Sequence, residues 1–296
     1  MRRTKLYMDT VVDIQVIPGS TASLEEVEAA INRAFAAFQK VEQACSRFNP
    51  DSELMQAIQT IRTPVPISAE LFEPLKFAWE VAKGTDGAFD PTVGRKLEMH
   101  GFSRDYLTGW EMDTRSADAS ATYRDVVLNA RGRTLFLNKP LVIDLGAVAK
   151  GFAIDLAARE LQSFSGFLIN AGGDLYAGGL NETGEPWEIG IQHPGQSDEV
   201  VDILRLTNAA ICTSGSYERP SEQTPGIHHL IDPRTGVSPK EWLSCSVIAP
   251  FAMMADACST TAYILGADRG IEFLKGMELQ GMIITSDLGI ERIGGI

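Results

Sequence analysis

Short apolar segments of strand length alternate with helical segments through the second half of this sequence, and this alternation restricts the fold more than any other feature. No Pro/Ser-rich linker and no internal repeat divides the chain. The sequence therefore predicts an α+β fold, a single domain over residues 1–296 with mixed sheets flanked by helices. The predicted strands are 141–145, 167–170, 187–192, 200–206, 209–213, 244–249 and 282–285, and the predicted helices are 149–161 and 254–265.

The first half begins with a strand that leads into a long helix. Apolar and polar residues alternate over 10–16, as in a half-buried strand. Ser23 and Glu26 form a capping box, and apolar residues then recur at helical spacing to about residue 45. A second helix is predicted at 71–83. The polar segment 104–124 is poorly patterned and is predicted to be a surface excursion.

Composition and charge exclude several classes of protein. The chain has a formal net charge of −13, which argues against nucleic-acid binding because that affinity rests on Lys and Arg. No apolar run reaches the roughly 20 residues of a membrane span, and no signal peptide is visible. We expect a cytoplasmic protein as written, or a periplasmic or membrane-anchored one if a leader was removed. Four scattered cysteines without a C-x-x-C pair indicate buried free thiols.

The segment 228–236 combines several reactive groups. It reads His-His-Leu-Ile-Asp-Pro-Arg-Thr-Gly, a short apolar strand followed by a tight turn at Asp232 to Gly236. Strand ends that open into such turns often carry reactive side chains on a rigid scaffold. The alternative interpretation is a turn that happens to be rich in polar residues.

Three further segments indicate a site for a diphosphate and a hard metal ion. Asp256 and Thr260 lie four residues apart and so share one helix face, where their oxygens suit Mg²⁺. Residues 144–151 form a glycine-containing turn into a helix, an arrangement that binds anions, with Asp144 and Lys150 at its ends. Each segment also has an ordinary structural interpretation: a capped helix in the first case and a strand–helix connection in the second.

The third segment, 86–94, contains two carboxylates, an aromatic ring and two glycines. Such a loop can hold a planar ligand against a closely approaching backbone, although Asp-Gly and Asp-Pro are also common turn dipeptides. The sequence contains neither a P-loop nor a dinucleotide-binding glycine fingerprint. Its four histidines lack any recognisable zinc spacing.

Taken together and in order, these segments resemble the ApbE family, the FAD:protein FMN transferases. The resemblance extends from about Met8 to the last helix and implies an ApbE-like fold. One departure lies near the start, where Met8-Asp9-Thr10 stands in place of the family's common Met-Gly-Thr. The matching segments are 46–54, 86–94, 144–151 with Asp155, 169–174, 213–219, 229–236 and 255–266.

The resemblance also implies ligands. It places Mg²⁺ on the side chains of Asp256 and Thr260 and on the backbone carbonyl of Ala147. The implied reaction attaches FMN from FAD, through a phosphoester bond, to a threonine hydroxyl of an acceptor flavoprotein and releases AMP. The implied FAD contacts are Met8, Phe48, Ala88, Phe89, Asp90, Asp144, Lys150 and the backbone near Leu230.

A base must take the threonine proton, and His229 is the best candidate because imidazole titrates near working pH. Its alternative role is to hold the Asp232 turn by hydrogen bonding. Two other functions fit the same residues: a metal-dependent FAD pyrophosphatase that yields FMN and AMP, and an FAD-binding protein without turnover. The intact Asp256 and Thr260 pair counts against the binding protein, since FAD binding alone needs no metal.

Overall fold

The structure is a computed structural model that describes residues 1–20, 22–105, 109–111 and 116–296. Part of the predicted surface excursion at 104–124 lies outside the described residues. Within the described ranges, no helix is long and apolar enough to cross a membrane. The six helices described are α1 (Leu24–Cys45), α2 (Glu53–Ala57), α3 (Ala69–Gly84), α4 (Gly94–Met99), α5 (Ala149–Leu161) and α6 (Ala252–Gly276).

The long first helix forms for the reasons its sequence predicts. Ser23 accepts a hydrogen bond from the Glu26 amide while the Glu26 carboxylate accepts from the Ser23 amide, so the capping box is present. The buried positions of α1 then recur at three- and four-residue spacing along one face. At the other end of the chain, Gly266 breaks α6 with a positive φ of 76°, one residue after the predicted helix end.

Thirteen strands form three sheets in the described part of the chain, and all their pairings are antiparallel. The α+β class is confirmed, with antiparallel rather than mixed sheets. The main sheet has the order β1-β2-β6-β7-β10-β11-β12-β13. The strands are β1 (Arg2–Tyr7), β2 (Thr10–Ile17), β3 (Val65–Pro66), β4 (Val126–Asn129), β5 (Thr134–Leu137), β6 (Gly166–Ala171), β7 (Asp174–Gly179), β8 (Trp187–His193), β9 (Gln196–Leu206), β10 (Ala209–Gly215), β11 (Trp242–Ala249), β12 (Gln280–Thr285) and β13 (Ile290–Ile293).

Both faces of the main sheet are buried. On one face α1, α5 and α6 pack against it, and on the other the β8–β9 hairpin covers a smaller apolar cluster. Alternate residues of one strand serve the two layers: Val247 of β11 belongs to the helical core and Ile248 to the cluster under the hairpin. The helical layer carries the candidate site, because α5 and α6 contact each other over strands β6, β7, β10 and β11.

Two predicted strands are not strands. Residues 141–145 are buried but take part in no ladder, and residues 229–231 before the Asp232 turn are likewise irregular. A short apolar run predicts burial without specifying a strand partner, and here the burial is supplied by loops packed against the core. The one strand-like pairing described in this segment is an isolated β-bridge between His228 and Pro220.

Candidate active site

The start of α5 meets the first turns of α6. Gly151 allows this close approach, because a Cβ atom on it would lie 2.5 Å from the Ala252 carbonyl oxygen. The Gly151 amide donates to Asp256 Oδ2 at 3.3 Å rather than to the carbonyl four residues earlier, that of Ala147. The two helices therefore bring the Asp256 carboxylate to the first turn of α5.

Asp155 fixes this junction from the α5 side. Its two carboxylate oxygens accept from the Ala252 and Met253 amides at 2.7 and 3.0 Å, and so cap the N-terminus of α6. Burial raises the pKa of Asp155 to about 6, although both amides lower it. The Phe251 side chain at the N-cap position makes no cap hydrogen bond, so the capping group of α6 comes from another helix.

The three groups predicted to bind a metal are hard oxygen donors that suit Mg²⁺. Thr260 lies one turn after Asp256, and its hydroxyl is 2.9 Å from the Ser214 hydroxyl on β10. Burial raises the pKa of the Asp256 carboxyl while Lys150 lowers it. The described residues contain no cluster of three or more His, Cys, Asp or Glu side chains placed as ligands. Mg²⁺ does not require one, since it commonly binds few carboxylates together with water and phosphate oxygens.

Lys150 supplies a positive charge beside this carboxylate. It is the second residue of α5, and its ammonium is in contact with Asp174 at the start of β7. Asp174 is almost fully buried, and its Oδ1 accepts from the Thr213 amide on β10 at 3.2 Å. The Lys150 side chain remains about one quarter exposed, so part of it faces solvent.

Asp144 is held by a residue that sequence reasoning misses. Arg47 donates from Nε to Asp144 Oδ2 at 2.5 Å, and its guanidinium lies 4.1 Å from the centre of the Phe48 ring. Arg47 is itself buried. The other Asp144 oxygen accepts from the Gly146 amide at 2.7 Å. Two predicted FAD contacts, Phe48 and Asp144, are therefore joined through one guanidinium.

The loop that contains Ala88, Phe89 and Asp90 is buried and attached to the same region. The Asp144 amide donates to the Pro91 carbonyl at 2.7 Å. Both oxygens of Asp90 already bond protein: Oδ1 accepts from Thr92, and Oδ2 accepts from the Tyr123 amide at 2.9 Å. The Asp90 side chain thus holds this loop in its conformation. The FAD contact predicted at Asp90 would then be made by other atoms of the same loop.

His229 lies in an enclosed position beside the buried Leu230. Burial, Arg219 and His228 together lower the pKa of His229 to about 3, against smaller opposing effects of the Arg219 carbonyl and Asp144. The imidazole therefore does not titrate near working pH, contrary to the reason that first favoured it, but is neutral there. Its Nδ1 is buried and has no hydrogen-bond partner among the described residues.

The turn after His229 is closed on itself. Arg234 donates to both oxygens of Asp232, at 2.9 and 2.8 Å, and the Gly236 amide donates to the Asp232 carbonyl at 2.8 Å. Gly236 adopts a φ of 74°, which the turn requires of it. The carboxylate and guanidinium of this segment serve the turn, and the two histidines remain its candidate reactive groups.

Met8 lies in a two-residue hairpin turn between β1 and β2. Met8 and Asp9 have φ values of 51° and 57°, the left-handed conformation that such a turn needs at both positions. Glycine adopts this conformation at lower cost than aspartate. The Met8 amide donates to Glu42 Oε1 at 2.6 Å, which ties the turn to α1.

The α5–α6 junction thus combines the Asp256 carboxylate, the Thr260 hydroxyl and Lys150, and Asp144 affects the pKa of the neutral His229 imidazole. The protein-family model described as the ApbE family matches residues 8–283. The chain is 31% identical to the FAD:protein FMN transferase of Haemophilus influenzae, over 96% of this chain and 83% of that protein. It is 30% identical to the protein of the same name from Vibrio cholerae, over 96% of this chain and 87% of that protein.

Solved structures agree with the sequence comparison. The ApbE protein of Thermotoga maritima matches with a TM-score of 0.85 and 29% identity, over 99% of this chain and 96% of that one. The flavin transferase ApbE from Vibrio cholerae matches with a TM-score of 0.82 and 27% identity, over the same shares of the two chains. With a family match over most of its length and transferases among its relatives, the chain belongs to the ApbE family and is a transferase.

Proposed function

We propose that this protein transfers FMN from FAD to a threonine hydroxyl of an acceptor flavoprotein, in a Mg²⁺-dependent reaction that releases AMP. The observation that carries the proposal is the α5–α6 junction, where the Gly151 amide binds the Asp256 carboxylate next to Lys150. The names of the relatives, FAD:protein FMN transferase, supply the substrate class.

The residues at this junction suit a diphosphate and a divalent cation. Asp256, Thr260 and the Ala147 carbonyl would hold Mg²⁺, with phosphate oxygens and water as the remaining ligands. When bound, the ion would neutralise phosphate charge and stabilise the AMP leaving group. Lys150 adds a second positive charge for the phosphates, and Phe48 offers a ring face on which the flavin can stack.

The group transfer needs one bond formed, one broken and one proton moved. The threonine oxygen of the acceptor forms a bond to the phosphorus of the FMN half. The bond from that phosphorus to the bridging oxygen breaks, and AMP leaves with that oxygen. His229, neutral because its pKa is lowered to about 3, accepts the threonine proton as general base.

The test is to mix the protein with FAD, Mg²⁺ and a small acceptor domain that bears a threonine preceded by Ser/Gly-Ala and an upstream Asp. Flavin fluorescence of the acceptor band on a denaturing gel measures transfer, and AMP release is measured with and without the acceptor. We expect a fluorescent band that disappears with EDTA. Asp256→Ala should abolish it, whereas Asp268→Ala, an exposed carboxylate on the same helix, should not.

Other outcomes point to other activities. AMP released at the same rate without acceptor, and no labelled band with any acceptor, would replace the proposal with FAD pyrophosphatase activity. Bound FAD without either product would make the chain a flavin-binding protein. Transfer that continues in EDTA would remove the metal from the proposal and leave Asp256 with a structural role.

A further inference from the structure

The buried carboxylate of Asp174 stands opposite Lys150 at the candidate site and has no part in the proposed reaction. It is 3% exposed and begins β7, directly after the Gly172–Gly173 turn. That turn is fixed against β2, because a Cβ atom on Gly172 would lie 2.2 Å from the Thr10 hydroxyl oxygen. The Asp174 carboxylate therefore has a position set by the sheet.

Each oxygen of Asp174 has a different neighbour. Oδ1 accepts from the Thr213 amide on the adjacent strand β10 at 3.2 Å, and Oδ2 is in contact with the Lys150 ammonium. The first bond anchors the carboxylate to the sheet, and the second attaches the lysine to that anchor. A buried carboxylate is stabilised by such pairing, since an unpaired buried charge is costly.

A second carboxylate lies beside Lys150 in the fold. Asp256 Oδ2 accepts a hydrogen bond at 3.3 Å from the amide of Gly151, the residue after Lys150, and the charge of Lys150 lowers the pKa of this buried carboxyl. A lysine side chain has four flexible bonds and loses rotamer entropy when held in one place. Without Asp174, the ammonium would be free to pair with Asp256 and so to occupy the carboxylate proposed to bind the metal.

We infer that Asp174 is a positioning residue: it holds the Lys150 ammonium at the phosphate position and away from Asp256. The inference rests on the proposed function, because it assumes that Lys150 meets the phosphates of FAD. In this arrangement the buried Asp174 carboxylate acts through Lys150.

A double-mutant cycle on FAD binding tests the inference without turnover. FAD affinity is measured by flavin fluorescence in EDTA for the wild type, Asp174→Asn, Lys150→Met and the double variant. The asparagine side chain keeps an oxygen for the Thr213 amide but loses the charge that holds Lys150. We expect Asp174→Asn to weaken FAD binding about tenfold, the scale of one charged hydrogen bond, and to have no further effect when Lys150 is already replaced by Met.

Two controls separate positioning from general stability. Glu188→Gln removes a carboxylate from an exposed ion pair with Arg205 on the β8–β9 hairpin and should leave FAD affinity unchanged. Asp174→Glu keeps the charge and should recover part of the affinity lost in Asp174→Asn, which keeps the test informative should the Asn variant fold poorly.

The outcomes are distinct. An equal loss from Asp174→Asn in both Lys150 backgrounds overturns the inference, since Asp174 would then act independently of the lysine. Unchanged FAD affinity in Lys150→Met also overturns the inference, because Lys150 would then not bind the phosphates of FAD. The transfer assay with the acceptor decides separately whether the proposed function holds. A loss that occurs only when Lys150 is present supports the inference.

Discussion

At the scale of single residues, burial decides the charge of the groups that would react. His229 is enclosed beside Arg219 and His228, and both neighbours disfavour its protonated form. A histidine in this state is deprotonated over the whole physiological pH range. As the proposed base it would be available at any working pH, but it would have to gain a proton during the reaction in a place that opposes positive charge.

The pH dependence of transfer tests this view of His229. Because its pKa is lowered to about 3, we expect His229 to cause no loss of kcat/KM between pH 8 and pH 5. A histidine with an ordinary pKa of about 6.5 would lose roughly thirtyfold over that interval. The measurement is the pH profile of acceptor flavinylation at low FAD concentration, with acceptor labelling followed by fluorescence.

Substitution provides the complementary test. His229→Ala should lower the transfer rate by about two to four orders of magnitude, the usual contribution of a general base, while FAD binding persists. His193→Ala, at the end of β8 outside this group of residues, serves as the control. Near-normal transfer by His229→Ala would remove this residue from the mechanism.

Sequence reasoning names candidate site residues but not the residues that support them. Asp144, Lys150, Asp256 and Thr260 stand in recognisable local segments. Arg47 and Asp174 act through contacts with residues far away in the sequence. For example, 97 residues separate Arg47 from Asp144. No local spacing encodes such a contact. The sequence likewise predicts a histidine at the site without the burial that lowers its pKa.

At the scale of elements, the close packing of α5 on α6 depends on one glycine. A Cβ atom on residue 151 would lie 2.5 Å from a backbone oxygen and 2.6 Å from a backbone carbon of α6. Backbone cannot move aside as a flexible side chain can, so the helices would have to separate. Separation would also lengthen the bond from the residue-151 amide to Asp256.

Gly151→Ala should therefore reduce both stability and transfer. We expect a loss of about 1–3 kcal/mol in the free energy of unfolding, the cost of overpacking a core. We also expect a higher Mg²⁺ concentration to be needed for half-maximal transfer. Urea denaturation and a Mg²⁺ titration of transfer give the two readings. The matched control is Gly276→Ala at the end of α6, where nothing lies within 4 Å of the added atom. Equal stability of the two variants would contradict the packing argument.

The cap of α6 gives a second element-scale prediction. Burial raises the pKa of Asp155 from 3.8 to about 6, so the folded state binds its proton more tightly than the unfolded state. Its contribution to stability is therefore complete below pH 4 and is lost as pH rises through 6. The shift corresponds to about 3 kcal/mol between these limits.

Asp155→Asn isolates this contribution because asparagine does not titrate. The difference in unfolding free energy between wild type and variant, measured by denaturant at several pH values from 4.5 to 7.5, should move in favour of the variant as pH rises. A constant difference across that range would show that the Asp155 carboxyl has the same pKa in the folded and unfolded states.

The elements themselves divide into those that local patterns define and those that need a partner. Helices α1 and α5 follow the predicted ranges closely, because capping and apolar spacing are local signals. The short strands β3, β4 and β5 carry little pattern of their own, and they form through pairing with one another. Residues 141–145 show the converse, an apolar run that is buried without any ladder.

At the scale of the whole molecule, the proposed function requires an acidic chain to bind an anionic dinucleotide with few cations. The net charge is −13, and the positive charges described at the candidate site are those of Lys150, Arg47, Arg219 and Arg234. Arg47 is already paired with Asp144 and Lys150 with Asp174. Phosphate binding against this background of negative charge should therefore depend strongly on a bound divalent cation.

This dependence should be visible in the thermal stability of the whole chain. The predicted contacts lie on the β1–β2 turn, the loop at 88–90, α5 and α6, so a ligand that binds them all stabilises the folded state by mass action. FAD at about 100 times its Kd, with Mg²⁺, should raise Tm by about 5–10 °C. FAD in EDTA should raise Tm less, and Asp256→Asn should lose the increment due to Mg²⁺ while keeping the rest.

Riboflavin, which lacks phosphate, is the control and should show no increment with Mg²⁺. An identical shift with and without Mg²⁺ in the wild type would mean that the cation does not join the phosphates to α6, and the metal would then have to be placed elsewhere in the molecule.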